Sequence, residues 1–174
     1  ARAHEEALAP LLQAATERNA SSDFRQALAL LDVRQKAAAR ASLPMDDQQT
    51  LQAQILRSQI ETTRGNTAES TRLADQALGH ARRLESPFLI GASLRVLGVA
   101  TRRSGHTHKA WELFEEALEQ LAKVNATEQT VLTRLNLTEL SGSVGWWDKG
   151  HDHVQRSLKE AQTLQSPLLI GHAH

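Results

Sequence analysis

The chain has 174 residues, of which 40% are hydrophobic, 23% charged and 3% aromatic, with 20 basic side chains, 20 acidic side chains and no cysteine. The balanced charge excludes a global attraction to nucleic acid or to an anionic membrane, and the lack of cysteine excludes disulfides and thiolate metal sites. No apolar run approaches the roughly 20 residues that span a bilayer, so we expect a cytoplasmic protein. Ala, Leu, Gln, Arg and Glu dominate, and these strong helix formers indicate an all-α protein.

The first predicted pair of helices covers residues 4–43. Apolar residues recur at helical spacing from Leu8 onward, but Pro10 removes a backbone donor and clashes with the preceding turn. We therefore expect the first helix to begin at or just before Pro10. Ser22 and Asp23 then provide turn and capping chemistry for a second helix.

Three later glycines lie at equal intervals along the chain. Gly65, Gly105 and Gly145 are separated by 40 residues (105 − 65 = 40; 145 − 105 = 40), and each follows one helical pattern and precedes another. Glycine readily adopts the left-handed conformation that ends a helix and reverses the chain, and Ser22 stands in the same position of the first pair. A fixed period of this size indicates stacked helix-turn-helix repeats. The later repeats cover residues 47–86, 87–126 and 127–166. Helices are predicted near residues 24–41 in the first pair and near residues 48–64, 68–84, 108–124 and 148–164 in the later pairs.

The last residues restate an earlier helix start. The stretch from Leu164 to Gly171 repeats the stretch from Leu84 to Gly91 at twice the interval (164 − 84 = 80 = 2 × 40). This predicts a partial fifth unit over residues 167–174, with Leu168-Leu169-Ile170 as its apolar face. Because a stacked repeat array needs a polar cap at each end, we expect the chain to be a fragment of a longer array.

The third pair carries a distinctive order of large, small and turn residues along its two helices. These residues are Leu94, Leu97, Gly98, Gly105, Ala110, Phe114 and Ala117. In this order the pair resembles the tetratricopeptide repeat (TPR), and the other three pairs match more loosely. The resemblance implies an all-α, right-handed α-solenoid of stacked antiparallel helix pairs (a TPR-like superhelix), with about four pairs plus the start of a fifth. The chain would then be a single TPR-like repeat domain over residues 1–174.

The repeat period is about 40 residues rather than the about 34 of the common form. Long repeats of this kind resemble the arrays of bacterial multidomain transcriptional and signalling regulators. In those proteins the array acts as the sensor or the partner-binding part, and its first helices line a concave groove. The resemblance therefore implies a scaffold without an output domain of its own.

Alignment of the repeats on one another predicts which residues line this groove. Arg95, Arg102 and Arg103 cluster near its middle, and the planar guanidinium suits carboxylates or phosphates. The alternative is that these arginines are solvated or paired with local carboxylates such as Glu61 or Glu139. The predicted partner groove consists of Gln52, Ile55, Gln59, Arg95, Val99, Arg102, Arg103, Leu135 and Glu139.

Two tryptophans follow the turn at Gly145. Trp146 and Trp147 either pack against neighbouring helices or form an exposed aromatic patch for a partner. Trp111, inside a helix beside Phe114, is expected in the core or between repeats.

Histidines occur three times in the pattern His-x-His. Residues two apart on a helix point about 200° apart, so such pairs make poor metal sites, and we expect solvated turn or cap residues. The sequence also lacks phosphate-binding, hydrolase and metalloprotease motifs. It therefore predicts no catalytic, cofactor or metal site. The pairs are His106-x-His108, His151-x-His153 and His172-x-His174.

These features together predict a non-enzymatic scaffold that binds a protein or peptide in its concave groove, without direct contact to nucleic acid or membrane. Two alternatives remain open. The chain could be a small-molecule effector receptor of a transcriptional regulator, or a self-association module that forms a homo-oligomer through the uncapped end around Leu168-Leu169-Ile170.

Overall fold

A computed structural model of the chain describes residues 2–42 and 48–163, and side chains from residue 6 onward. Within these ranges the backbone forms helices and turns without strands. None of these helices combines the length and the apolarity that a bilayer crossing requires. The eight described helices are α1 (Arg2–Ala20), α2 (Phe24–Arg40), α3 (Gln48–Thr63), α4 (Thr67–Arg83), α5 (Pro87–Arg103), α6 (Thr107–Ala122), α7 (Thr127–Val144) and α8 (Trp147–Thr163).

The chain divides into two compact units, Ala1–Leu84 and Glu85–His174. The first unit holds α1 to α4 and the second holds α5 to α8, and in each unit the helices pack most closely in consecutive pairs. The prediction of an all-α fold made of helix pairs is confirmed, and the five predicted helix ranges agree with the structure to within two residues at each end. The assignment of the whole chain to a single domain stays a prediction.

The start of the first helix was predicted wrongly. α1 begins at Arg2 and continues through Pro10, although proline weakens a helix interior. Leu8 is buried against Ala38 near the end of α2, and Leu11 packs on the same cluster. Pro10 itself is exposed, and so is Glu6, whose carbonyl loses its helical hydrogen bond and can bond to water instead. Packing on α2 therefore holds the turn that Pro10 weakens.

The turn within each pair has the predicted left-handed backbone. Gly65, Gly105 and Gly145 have φ angles of 86°, 84° and 75°, and Ser22 takes the same region at 60°. A left-handed residue at this position lets the amide three residues after the helix bond back to its last turn, as Asp23 N does to Arg18 O at 2.8 Å.

The turns between pairs use the left-handed region as well, without glycine. Ser42, Glu85 and Asn125 have φ angles of 52°, 50° and 51°. The sequence did not indicate a left-handed backbone at Ser42 or Glu85, because serine and glutamate seldom adopt this conformation. After the second of these turns Ser86 caps α5 through a 3.5 Å hydrogen bond from Leu89 N, and a proline occupies the first helical position, where its missing N–H costs nothing.

Each unit has its own buried apolar core. In the second unit one cluster joins α6 to α7, and another joins Val131 on α7 to Ala161 on α8. These cores anchor the helix faces on which the candidate site lies. One cluster of the first unit consists of Ala15, Ala27, Leu31, Leu56 and Ile60, and the α6–α7 cluster of Ala110, Trp111, Phe114, Leu137 and Leu140.

The two helices of a pair approach closely at one crossing, which differs between repeats. In the third pair Gly98 on α5 admits the ring of Phe114 on α6. In the second pair the equivalent crossing is polar: Ser58 Oγ donates to the carbonyl of Ser70 at 2.8 Å, and Ser70 Oγ donates to the carbonyl of Ser58 at 2.9 Å. Small residues permit both solutions, because they let the backbones come together.

Several predicted features lie outside the described residues. These are the repeated stretch from Leu164 to Gly171 with its partial fifth unit, the apolar end Leu168-Leu169-Ile170, and the pair His172-x-His174.

Candidate functional site

The predicted groove residues of the second unit lie on its two first helices, α5 and α7, which contact each other. Two polar contacts connect these helices side by side: Arg95 reaches Gln129, and Arg102 reaches Glu139. On α5 the spacing from Arg95 through Val99 to Arg102 (i, i+4, i+7) places all three on one helical face. We call this surface of α5 and α7 the α5/α7 face.

Arg95 is the more enclosed of the two arginines that bridge the helices. Its side chain is half-buried, and its Nε donates to Oε1 of Gln129 at 3.1 Å. Burial lowers the pKa of Arg95 to about 10, against a weaker opposing effect of the negative charge on Glu128. The guanidinium therefore stays cationic at neutral pH. Among the described residues no carboxylate forms an ion pair with it, so its direct partner is an uncharged amide.

Arg102 is paired with an acidic side chain. Its Nη2 lies 3.0 Å from Oε2 of Glu139, with 31% of the arginine side chain and 61% of the glutamate side chain exposed. Ion pairs at this level of exposure contribute about 0–1 kcal/mol. Pairing with a local carboxylate was one of the two interpretations of the arginine cluster, and it applies to Arg102. Arg103 is exposed at the end of α5.

The α5/α7 face also has apolar parts. Val99 is half-buried against the cluster around Phe114, and Leu135 is half-buried against the cluster of Val131 and Ala161. Both side chains are fixed by core packing on one side and retain accessible surface on the other. A ligand on this face would meet preorganised apolar contacts next to Arg95.

In the first unit the predicted groove residues share one face of α3. Gln52 and Gln59 are half-buried, whereas Ile55 is buried, with 7% of its surface exposed. Ile55 therefore offers little surface to a partner, and the two glutamines are the accessible part of this face.

The two neighbouring tryptophans have different surroundings. Trp147 is 69% exposed. Trp146 is half-buried, and its ring meets Trp111 edge-on at a centroid distance of 4.9 Å. The structure therefore divides the predicted aromatic patch into one packed ring and one exposed ring.

Trp111 and Trp146 form the centre of a cluster that was not predicted from the sequence. His108 lies 5.4 Å from Trp146 and His153 lies 5.7 Å from Trp111, both edge-on. The ammonium of Lys149 lies over Trp146 at 4.8 Å, a distance at which a cation is attracted to the ring face. In the sequence, the i, i+3 spacings from His108 to Trp111 and from Trp146 to Lys149 could have indicated that these side chains lie close together.

In the two described histidine pairs three of the four side chains are exposed, as expected of solvated turn or cap residues: His106, His108 and His151. His153 is half-buried, which differs from that expectation, and its ring contacts Trp111, as the ring of His108 contacts Trp146. In the part of the chain that the structure describes, no group of three or more His, Cys, Asp or Glu side chains could hold a metal ion.

Comparison with known proteins finds similar three-dimensional structures. Neither a family model nor a curated protein matches the chain. It superposes on a Rap protein complexed with competence and sporulation factor with a TM-score of 0.85, at 18% identity over 97% of this chain and 46% of that one. It also resembles aspartyl phosphate phosphatase F from Bacillus subtilis (TM-score 0.79, 12% identity, 97% of this chain and 43% of that one). BtubC from P. vanneervenii gives a TM-score of 0.71 at 14% identity over 91% of this chain and 65% of that one.

These matches establish the fold. At identities of 12–18% the agreement concerns the course of the backbone, and it confirms the predicted helical-repeat fold. The chain spans less than half the length of the first two proteins, at 46% and 43%.

Proposed function

We propose that this chain is a non-catalytic interaction scaffold that binds an extended peptide or protein segment on the α5/α7 face, as the sensor or assembly segment of a bacterial regulator. The observation that carries the proposal is the environment of Arg95. A half-buried guanidinium bonded to an uncharged amide can still bond to a carboxylate that approaches from solvent.

The neighbouring side chains define the ligand. A carboxylate of the bound segment would pair with Arg95, and its apolar side chains would cover Val99 and Leu135. Because burial has already removed part of the water around Arg95, pairing there costs less desolvation than at an exposed arginine. The segment would be acidic or would end in a free carboxyl group, with apolar residues nearby.

The structural comparisons support the class of function. The Rap protein among the matches is complexed with competence and sporulation factor, so a helical-repeat protein of this backbone course is able to bind a factor. Another match is named a phosphatase, so the fold does not by itself decide between binding and catalysis. The non-catalytic assignment and the regulatory role are therefore parts of the proposal.

Selection of peptides from a random library tests the proposal. The full chain is used as bait, and the selected peptides are then titrated against Arg95→Ala with Arg102→Ala, and against Arg156→Ala as a matched control. Arg156 is an exposed arginine of the same unit, and it pairs with Asp152 on α8 at 3.0 Å. We expect acidic-apolar peptides that lose at least about tenfold in affinity in the double variant and keep their affinity in the control. Equal affinity in all three proteins would contradict the proposal.

A further inference from the structure

The two arginines that bridge α5 and α7 differ in the charge of their partners. Arg95 donates through Nε to the uncharged Gln129 at 3.1 Å, whereas Nη2 of Arg102 lies 3.0 Å from a carboxylate oxygen of Glu139. The α5/α7 face therefore presents two guanidiniums, and only one of them is in direct contact with a negative charge. This difference limits the number of acidic groups that a ligand can place on the face.

Arg95 has hydrogen-bond donors available for a ligand. Among the described residues only its Nε is hydrogen-bonded, and the half-buried side chain leaves both Nη groups accessible. The negative charge of Glu128 acts on Arg95 from a distance, without an ion pair between the two side chains in the described part of the chain. Because the donors of a guanidinium form a planar fork, the Nη groups can bond to a carboxylate that approaches from solvent.

Arg102 is much less available to an acidic group of a ligand. Its Nη2 contacts Glu139, and its Nε is buried without a hydrogen-bond partner in the described ranges. A ligand carboxylate would have to approach the remaining Nη hydrogens beside Glu139, whose side chain is 61% exposed. Two negative charges would then share one guanidinium, and like charges a few ångströms apart repel each other. Glu139 therefore opposes a second carboxylate at this end of the face.

The spacing of the two arginines determines where such a second carboxylate would come from. Arg95 and Arg102 are seven residues apart on α5, which corresponds to about 10 Å along the helix axis. An extended peptide advances by about 3.3 Å per residue. A segment whose first carboxylate bonds to Arg95 would therefore bring an acidic residue about three positions further along into the neighbourhood of Glu139.

We propose that Glu139 determines the specificity of the α5/α7 face by restricting it to segments with a single acidic group. Glu139 neutralises Arg102 and repels a second carboxylate of the ligand, so the bound segment carries one carboxylate at Arg95 and uncharged residues beyond it. This role of Glu139 rests on the proposed function, because it concerns the same face. Interactions between exposed charges of this kind change an equilibrium constant by up to about fivefold.

Parallel selections from one random peptide library test this role. The baits are the full unmodified chain, Glu139→Gln and Glu119→Gln. Glu119→Gln is the matched control, because it removes the same charge from an exposed position of α6 that lies outside the α5/α7 face. We expect the unmodified chain and the control to select singly acidic peptides. Glu139→Gln should also select peptides with a second acidic residue about three positions from the first.

Titration of a matched pair of peptides measures the effect. One probe is a selected singly acidic peptide, and the other is the same peptide with a second glutamate about three positions from its acidic residue. Calorimetry at constant ionic strength gives the ratio of the two affinities for each protein. Glu139→Gln should raise the relative affinity of the doubly acidic peptide at least about threefold. Addition of Arg102→Gln to this variant should abolish the gain, because the second carboxylate then loses its cationic partner.

The outcomes separate the role of Glu139 from the proposed function. If no peptide is selected, or if the selected peptides bind equally well to Arg95→Ala, both proposals are overturned. If binding depends on Arg95 but the affinity ratio is the same in Glu139→Gln and in the unmodified chain, the proposed function stands and the role of Glu139 is overturned. An equal rise of the ratio in Glu119→Gln would also overturn it, because overall charge would then be the cause.

Discussion

Gly98 on α5 lies against the ring of Phe114 on α6, so closely that a Cβ atom on Gly98 would stand 2.5 Å from Cε1 of the ring. Phe114 is fully buried and cannot turn away. Gly98→Ala should therefore lower the free energy of unfolding by about 1–3 kcal/mol through overpacking, although alanine is the better helix former.

Gly79→Ala is the matched control for this substitution. Gly79 also lies inside a helix, but a Cβ atom there would meet nothing within 4 Å. The control should gain about 0.5–1 kcal/mol from helix propensity alone. Urea unfolding of both variants measures the two effects, and a stabilised Gly98→Ala protein would contradict the close contact.

Glycine, which the later repeats have at this position, should stabilise the first turn. Ser22 has a φ angle of 60°, whereas the equivalent Gly65 has 86° with open space around a Cβ. Ser22→Gly should raise the free energy of unfolding by about 0.5–1 kcal/mol, because a left-handed residue with a Cβ is strained. Gly65→Ser should lower it by a similar amount. Thermal unfolding compares the two, and changes of the same sign in both would be inconsistent with this account.

His153 should make stability depend on pH. Burial is the main cause that lowers the pKa of His153 from its ordinary 6.5, and the charge of Arg134 acts in the same direction. Glu115, 3.7 Å from Nε2, and Asp152 favour the protonated form but do not outweigh these effects. Because the folded pKa lies below the unfolded one, the unfolded chain binds the proton first. Stability is then lost as the pH falls from about 6.5 towards the folded pKa.

Comparison with His153→Gln isolates this effect. Urea unfolding is measured from pH 7.5 to pH 5 in both proteins. The unfolding free energy of the chain with His153 should fall relative to that of the variant as the pH decreases. A constant difference over this range would rule out His153 as the titrating group.

Arg95 should lower the stability of the fold and strengthen the binding of peptides. Burial of its charge costs free energy, as its pKa of about 10 indicates. Arg95→Met keeps the volume and removes the charge, so the free energy of unfolding should rise by up to about 1 kcal/mol. Peptides selected on the unmodified chain should bind this variant more weakly. A variant that is less stable would show that the bond to Gln129 outweighs the cost of burial.

The helix pairs could be read from local patterns. The 40-residue period located the turns, and the turn glycines have the backbone that their positions predicted. Pro10 led to a wrong prediction of where the first helix begins, because the packing of Leu8 on α2 outweighs the local preference of one residue. The left-handed backbone at Glu85 was not predicted for a similar reason, since the helices on either side impose a conformation that glutamate seldom adopts.

The candidate site was predicted in part. Alignment of the repeats placed Arg95, Arg102 and Glu139 on neighbouring first helices, and the structure joins two of them as an ion pair. It did not show that Arg95 bonds to Gln129 or that Trp146 meets Trp111. Those contacts depend on the rotation and spacing of one helix against another, and residues far apart in the chain determine them.

Local chemistry alone was sufficient for most of the helix bounds, for the period and for the left-handed turns within the pairs, because hydrophobic spacing and backbone φ preferences act over a few residues. Only the tertiary structure decided how each helix crossing is filled. Ser58 on α3 and the equivalent Gly98 on α5 meet different partners: Ser58 forms hydrogen bonds with Ser70 on α4, whereas Gly98 packs against the ring of Phe114 on α6. The same holds for the contact between Trp111 and Trp146, which are far apart in the chain and meet only once their helices are packed together.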